Sequence, residues 1–226
     1  MLCSKHMDSQ ELLTIQNLEI QSLVAAVHAA KTADDLLTTT ENLAASAHPD
    51  GAQCLLEILG FNNPGAAVAA VDGLVAIGQP VVVKLLESLD NSNYTARSWA
   101  VRALAGIGDS RGLSVLEHAL AQDIGPSVRR AAACGLGNLI LSTETELELS
   151  QCKRCLTALI NASRDSEWVV RYAVTVGLEK RLKQDVSNKD WVIRSQNVLC
   201  ALAGEEEDEK IVRQRARLAL MRLDFS

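Results

Sequence analysis

Arginines and aromatic rings recur in this chain at spacings that could hold a flat, conjugated, acidic ligand. Arg97, Arg129, Arg171 and Arg213 each follow Val or Ala, and each precedes a leucine by seven residues: Leu104, Leu136, Leu178 and Leu220. With Arg97 as position zero of a helix, positions 0, +3, +4 and +7 form the packing stripe. The in-register arginines should therefore bond loop carboxylates and carbonyls of neighbouring segments, with Asp109, Asp165 and Glu167 as candidate partners. A guanidinium fork could instead take ligand carboxylates through two parallel bonds. The opposite face should present Ser98, Trp99 and Arg102, then Arg130, then Tyr172 and Lys180, and last Gln214, Arg215 and Arg222. Tyr94, Trp168 and Trp191 each stand three residues before an arginine, and acid-Trp-Val-x-Arg occurs at Glu167–Arg171 and at Asp190–Arg194. Local cation–ring packing at helix starts accounts for this; so does a groove with aromatic walls and paired cations. Spacing alone does not choose.

The elements that position these residues follow from the same register. The arginines are 32, 42 and 42 residues apart, and Ala67–Leu74 fits the frame thirty residues upstream with alanine in the arginine's place. Self-similarity at this period means stacked helical pairs. The segments predicted as helices are Ser9–Ala30, Thr32–Ser46, Ala52–Leu59, Pro64–Ile77, Val81–Leu89, Tyr94–Ile107, Gly112–Ala121, Pro126–Leu141, Thr145–Ala162, Ser166–Leu182, Lys189–Ala203 and Glu207–Leu223. Thr32 and Asn63 have the side chains of N-caps, and Pro64 suits a first helical position. The expected architecture is all-α, a solenoid of HEAT-like helix–turn–helix repeats forming one domain over residues 1–226. The second helix of each pair should line a concave surface. Val81–Val83 and the Ala-rich Pro64–Leu74 helix could contribute to a dimer seam at the N-terminal repeats.

Composition agrees. In 226 residues, 48% are hydrophobic but only 3% aromatic, so the interior should be aliphatic. The net charge of −6 argues against a nucleic-acid backbone as main partner. Met1–Leu13 lacks the apolar core of a secretory signal, and no run is long enough to span a membrane, so a cytoplasmic protein is expected. Cys3, Cys54, Cys134, Cys152, Cys155 and Cys200 are scattered, and the lone Cys152/Cys155 pair reads as packing, since a zinc site needs about four ligands. The acidic run Glu205–Glu209 should be a solvated first helical turn, with a partner-facing acidic patch as the alternative. His6, His28, His48 and His118 are isolated, and Gly135 and Gly137 lie within a helix, so no catalytic or nucleotide-binding motif emerges.

Four strings add more: Gly60–Leu74 (GFNNPGAAVAAVDGL), Asn93–Leu113 (NYTARSWAVRALAGIGDSRGL), Ser127–Leu139 and Glu167–Glu179. They resemble the F-type subunit of the cyanobacterial E/F phycobilin lyases, over roughly residues 20–225. The resemblance implies an enzyme subunit of the carbon–sulfur lyase class that works with an E-type partner. The reaction it implies is transfer of phycocyanobilin, an open-chain tetrapyrrole, to a cysteine of the apo-phycocyanin α subunit, with the bilin as substrate and no permanently bound cofactor. Phycoerythrobilin as the bilin, a bilin-protein chaperone and a non-enzymatic HEAT scaffold are the alternatives. On this resemblance Tyr94, Trp99, Arg102 and Arg130 would line a bilin-facing groove, with Trp168 and Tyr172 further along. Asp72, in the run AAVAAVDGL, would contact the pyrrole nitrogens. The related lyase-isomerase subunits carry a His-Cys dipeptide; this chain has none, which favours simple attachment.

Overall fold

The computed structural model describes residues 9–89, 93–142, 144–184 and 188–224, with side chains from residue 17 onward. Cys3, His6 and the start of the Met1–Leu13 segment lie outside the described residues. The described backbone is helical and contains no strand. Its contacts divide it into two compact units, residues 1–100 and 101–226.

The first unit holds α1 (Ser9–Ala29), α2 (Ala33–Ala45), α3 (Ala52–Ile58), α4 (Pro64–Ile77), α5 (Val82–Ser88) and the start of α6 (Tyr94–Ile107). Its helix starts obey local chemistry. Thr32 Oγ1 accepts the Asp35 N–H at 3.0 Å, and Asn63 Oδ1 accepts the Ala66 N–H at 3.1 Å beside Pro64. Caps of this kind contribute about 1 kcal/mol each. α4 packs on α2 and α3, burying Ala66, Ala67, Ala70 and Leu74 against Leu43, Leu55 and Ile58. Gly73 makes the approach possible, because a Cβ there would lie 2.7 Å from Ala44 Cβ. Val81 and Val82 belong to the core and only Val83 is exposed.

The second unit holds the rest of α6, then α7 (Leu113–Gln122), α8 (Pro126–Asn138), α9 (Glu146–Asn161), α10 (Trp168–Leu182), α11 (Lys189–Ala203) and α12 (Lys210–Leu223). α8, α10 and α12 lie side by side as one layer, and α7, α9 and α11 pack beneath them as the other. Small residues set the first layer's spacing. A Cβ on Gly137 would come within 2.5 Å of Gly177 Cα, so α8 and α10 touch backbone to backbone. Leu116, Leu136, Leu156, Leu159, Leu178 and Leu199 fill the space between layers. α9 opens with a reciprocal cap in which Thr145 Oγ1 accepts the Glu148 N–H and Glu148 accepts from Thr145.

The register arginines bolt this unit together. Arg129 gives Nε and Nη2 to Asp165 at 2.7 and 2.9 Å, and its Nη1 holds the carbonyls of Asp123 and Ile124. Forty-two residues later Arg171 repeats the pattern, with Nε and Nη2 on Glu207 at 2.7 and 2.6 Å and Nη1 on the carbonyls of Asp165 and Ser166. Asp165 is thus the predicted partner, but two others are corrected. Asp109 binds Arg111 at 2.8 Å, and Glu167 contributes a backbone N–H that donates to Asp165. The acidic run is corrected as well. Glu207 is buried rather than solvated, because Arg171 needs its carboxylate, and α12 accordingly begins at Lys210, not Glu207. α8 stops at Asn138, three residues before the predicted Leu141, because Leu139 turns extended (ψ 128°) and the Ile140 N–H donates to Gly108 O at 2.8 Å.

Candidate functional site

One face of the α8–α10–α12 layer is left uncovered by α7, α9 and α11, and it is cationic. Arg102, one turn before the end of α6, and Arg130, in the first turn of α8, lie close enough for their charges to interact. Burial first, and then the Arg130 charge, hold the Arg102 guanidinium below its ordinary value. Guanidinium groups are suited to carboxylates, which they can hold through two parallel bonds. Arg130 is exposed and forms no ion pair with a carboxylate among the described residues. One turn further along α8 is the half-buried Cys134 thiol. Burial raises its pKa, while the charges of Arg130, Lys180 and Arg215 pull it down.

The other expected cations are only partly available. Lys180 Nζ donates to Asn138 Oδ1 at 2.5 Å. Arg215 Nη2 donates to Glu179 Oε2 at 2.6 Å, and Lys183 and Arg222 reach the same buried carboxylate at 2.7 and 3.6 Å. Burial pushes the Glu179 pKa up, but the bonds from Lys183 and Arg215 outweigh it, and the net shift is down. Glu179, which sequence reasoning passed over, therefore neutralises much of the charge expected near α12. A carboxylate in the third turn of α10, among the cations of α12, was its only signal.

The aromatic residues separate by role. Tyr94 is 39% exposed and carries the Arg97 guanidinium 5.8 Å over its ring. Trp191 lies between Lys153 and Arg194, at 5.6 and 5.1 Å, which is the local packing reading. The matching pentapeptide at Glu167–Arg171 behaves otherwise. Its arginine is drawn to Glu207, and Trp168 stays 41% exposed at the start of α10. Trp99 and Arg102 are half-buried, and Tyr172 is half-buried near the start of α10. Asp72 belongs to the first unit, exposed on α4 between buried Ala70 and Gly73. Within residues 101–226 the Arg130 charge is near enough to act on Arg102, and Tyr172 and Arg130 share one register position on adjacent helices.

Cys152 and Cys155 are buried in α9, and burial takes Cys155 up to about 11. These are inert packing thiols. No single helix among the described residues is long and apolar enough to cross a membrane.

Paired helices in register, bolted by arginine, define a HEAT-repeat protein. Residues 82–149 match the family model for HEAT repeats. The chain is 46% identical over 208 residues to the bilin biosynthesis protein RpcF of Synechococcus sp. WH8020, covering 92% of this chain and 97% of that protein. It is also 46% identical over 167 residues to the phycocyanin alpha phycocyanobilin lyase CpcF of Synechocystis sp. PCC 6803, covering 74% of this chain and 78% of that protein. A chain of the solved complex of CpcE and CpcF of phycocyanin lyase from Nostoc sp. PCC7120 superposes with a TM-score of 0.66 at 40% identity, over 76% of this chain and 99% of that one. The chain belongs to the F-subunit family of the bilin lyases.

Proposed function

We propose that this chain is the F-type subunit of a heterodimeric lyase that attaches phycocyanobilin to a cysteine of the apo-phycocyanin α subunit, working with an E-type partner in the cytoplasm. The reading takes residues 1–226 as a single HEAT-like domain. The observation that carries it is the Arg102–Arg130 pair in a chain of this family. The two propionates of an open-chain tetrapyrrole need cations at fixed separation, and its rings need walls such as Trp99, Tyr172, Trp168 and Tyr94. In the reaction the acceptor cysteine adds across the ring-A ethylidene bond. Sulfur bonds to the exocyclic carbon, the π electrons move to the neighbouring ring carbon, and the proton ends there. The nucleophile comes from the substrate protein, so this chain need only extend, orient and polarise the bilin. Asp72 is assigned the contact with the pyrrole nitrogens, where a carboxylate would favour their protonated form.

The test is bilin transfer to apo-phycocyanin α with the E-type partner, with and without this chain, offering phycocyanobilin and phycoerythrobilin in competition. Covalent phycocyanobilin adduct that requires this chain supports the reading. Better folding of the acceptor without adduct identifies a chaperone, and no effect on either leaves a scaffold. Arg102→Gln with Arg130→Gln should cut transfer at least tenfold with the chain still folded. Asp72→Ala should lower the rate of transfer without weakening partner binding, and wild-type transfer in that variant removes Asp72 from the site.

A further inference from the structure

We propose that the open side of α12 is the docking surface for the partner subunit, and that the partner supplies a loop carboxylate to Arg213. The template is internal. Arg129 and Arg171 are each held by Nη1 on two carbonyls of the preceding loop, and each presents Nε and Nη2 to a carboxylate 36 residues ahead. Arg213 makes the first half of this arrangement. Its Nη1 donates to the carbonyls of Glu207 and Asp208, so its guanidinium is already held in the pose of the other two. The second half is empty. No described carboxylate bonds Nε or Nη2 of Arg213, since Glu207 is committed to Arg171. A guanidinium fixed in this way binds a carboxylate with little further loss of side-chain entropy.

The surface beside it fits a protein rather than a small anion. Met221, two turns along α12, is 79% exposed, and it occupies the register position at which Gly137 of α8 touches the next repeat. Ile211 and Leu218 continue the uncovered apolar surface around the helix. In the first unit Val81 and Val82 are core residues, while Val68 of α4 and Val83 of α5 are exposed.

The chemistry specifies the occupant. In both internal examples the carboxylate lies two residues before the N-cap of a following helix, and it also accepts the N-cap N–H. The partner should therefore be a helical chain presenting Asp or Glu in the loop that leads into a helix, stacked on α12 as α12 stacks on α10. This rests on the heterodimer reading above and names the E-type subunit as that chain.

Binding of this chain to a CpcE-type subunit, measured by titration of the purified proteins, tests it. Arg213→Ala should weaken binding about 30-fold or more, the loss expected when one partner of a desolvated charge pair is truncated. Arg213 also holds its own loop, so Met221→Glu is the necessary second variant. It alters an exposed side chain, should leave the melting temperature unchanged, and should weaken binding comparably by placing an unpaired carboxylate in the apolar part of the interface. Wild-type affinity in Met221→Glu overturns the proposal, whatever Arg213→Ala does, while leaving the lyase reading intact. Absence of binding by the wild-type chain overturns the heterodimer reading and the proposal together. Self-association of the chain alone that Met221→Glu abolishes makes a second copy the occupant and also overturns it.

Discussion

Residues 1–100 and residues 101–226 fasten neighbouring repeats by different chemistry. In the first unit two of the described fasteners are neutral. Asn63 caps α4 and gives its Nδ2 to Ala33 O at 2.9 Å, and Asn93, at the same place before α6, gives its Nδ2 to Gly60 O at 3.3 Å. The second unit uses charge, with Arg129 on Asp165 and Arg171 on Glu207. Both devices do one task, since each ties the start of a second helix to a loop of an adjacent repeat. They differ in the cost of losing one end. An asparagine leaves a carbonyl that water can satisfy, whereas an arginine leaves a buried carboxylate. The charged device also commits its cations, Arg129 and Arg171, to structure.

The difference is broken most severely at Arg171. Arg171→Ala strands Glu207, whose side chain is only 5% exposed. The expected loss is about 3 kcal/mol, the low end for one partner of a buried pair because Arg171 itself keeps some solvent contact. Denaturant unfolding monitored by amide exchange should show the loss in α10 and α12, with α2 to α4 unchanged. Arg171→Met combined with Glu207→Leu should recover most of it. If the single variant melts with the wild type, the bolt is ornamental.

Gly137→Ala should cost about 2 kcal/mol by overpacking, because the new Cβ meets Gly177 backbone atoms that no side-chain rotation can move. Its effect should again stay within residues 101–226. An unchanged midpoint for the purified variant would mean that α8 and α10 part easily.

Acid should separate the units without mutation. Burial raises the Asp165 carboxyl, but the bonds from Arg129 and the Glu167 N–H outweigh it and the pKa falls; Arg171 does the same for Glu207 against a smaller burial effect. Folded pKa values below the unfolded ones mean that this stability is fully present above the unfolded carboxyl range, about pH 4 to 4.5. It is lost as pH falls through the lowered folded values. Amides of α8 to α12 should therefore lose protection before those of α2 to α4 as pH drops from about 5 to about 3. Simultaneous loss would show that the neutral and charged fasteners do not differ in this respect.

Much of this fold is legible in the residues. Asn63-Pro64 marks a helix start through capping, and α4, α6 and α11 run between the expected residues. The repeat frame pointed to Arg129 and its Asp165. It missed Glu207 because an acidic run before a helix looks like solvated charge, and only the 42-residue step from Asp165 to Glu207 distinguishes the one buried carboxylate from its neighbours. The pentapeptides at Glu167 and Asp190 show the same limit. One reaches the next repeat, while in the other Arg194 folds back on Asp190 at 3.0 Å, and local sequence is identical in kind. The site was less legible than the fold. Whether Arg215 faces a ligand or Glu179 depends on which residue the adjacent helix places opposite, and no periodicity states that.

The gentlest perturbation tests the neutral side of the contrast. Asn63→Ala removes two interactions at once, the cap on the Ala66 N–H and the stitch to Ala33 O. Both freed backbone groups lie where water can reach them, since the stitch is exposed and the cap half-buried. The loss should therefore be about 1 kcal/mol, the usual figure for a cap alone, and should not grow as pH is lowered, because no titrating group takes part. Asn63→Asp sharpens the point. A carboxylate caps as well as an amide and interacts favourably with the helix N-terminus, but it cannot donate to Ala33 O. If Asn63→Asp restores wild-type stability, the stitch contributes little and the first unit is held by its aliphatic core. If it recovers only part of the loss, the amide is a fastener in its own right, and the shortfall measures the stitch.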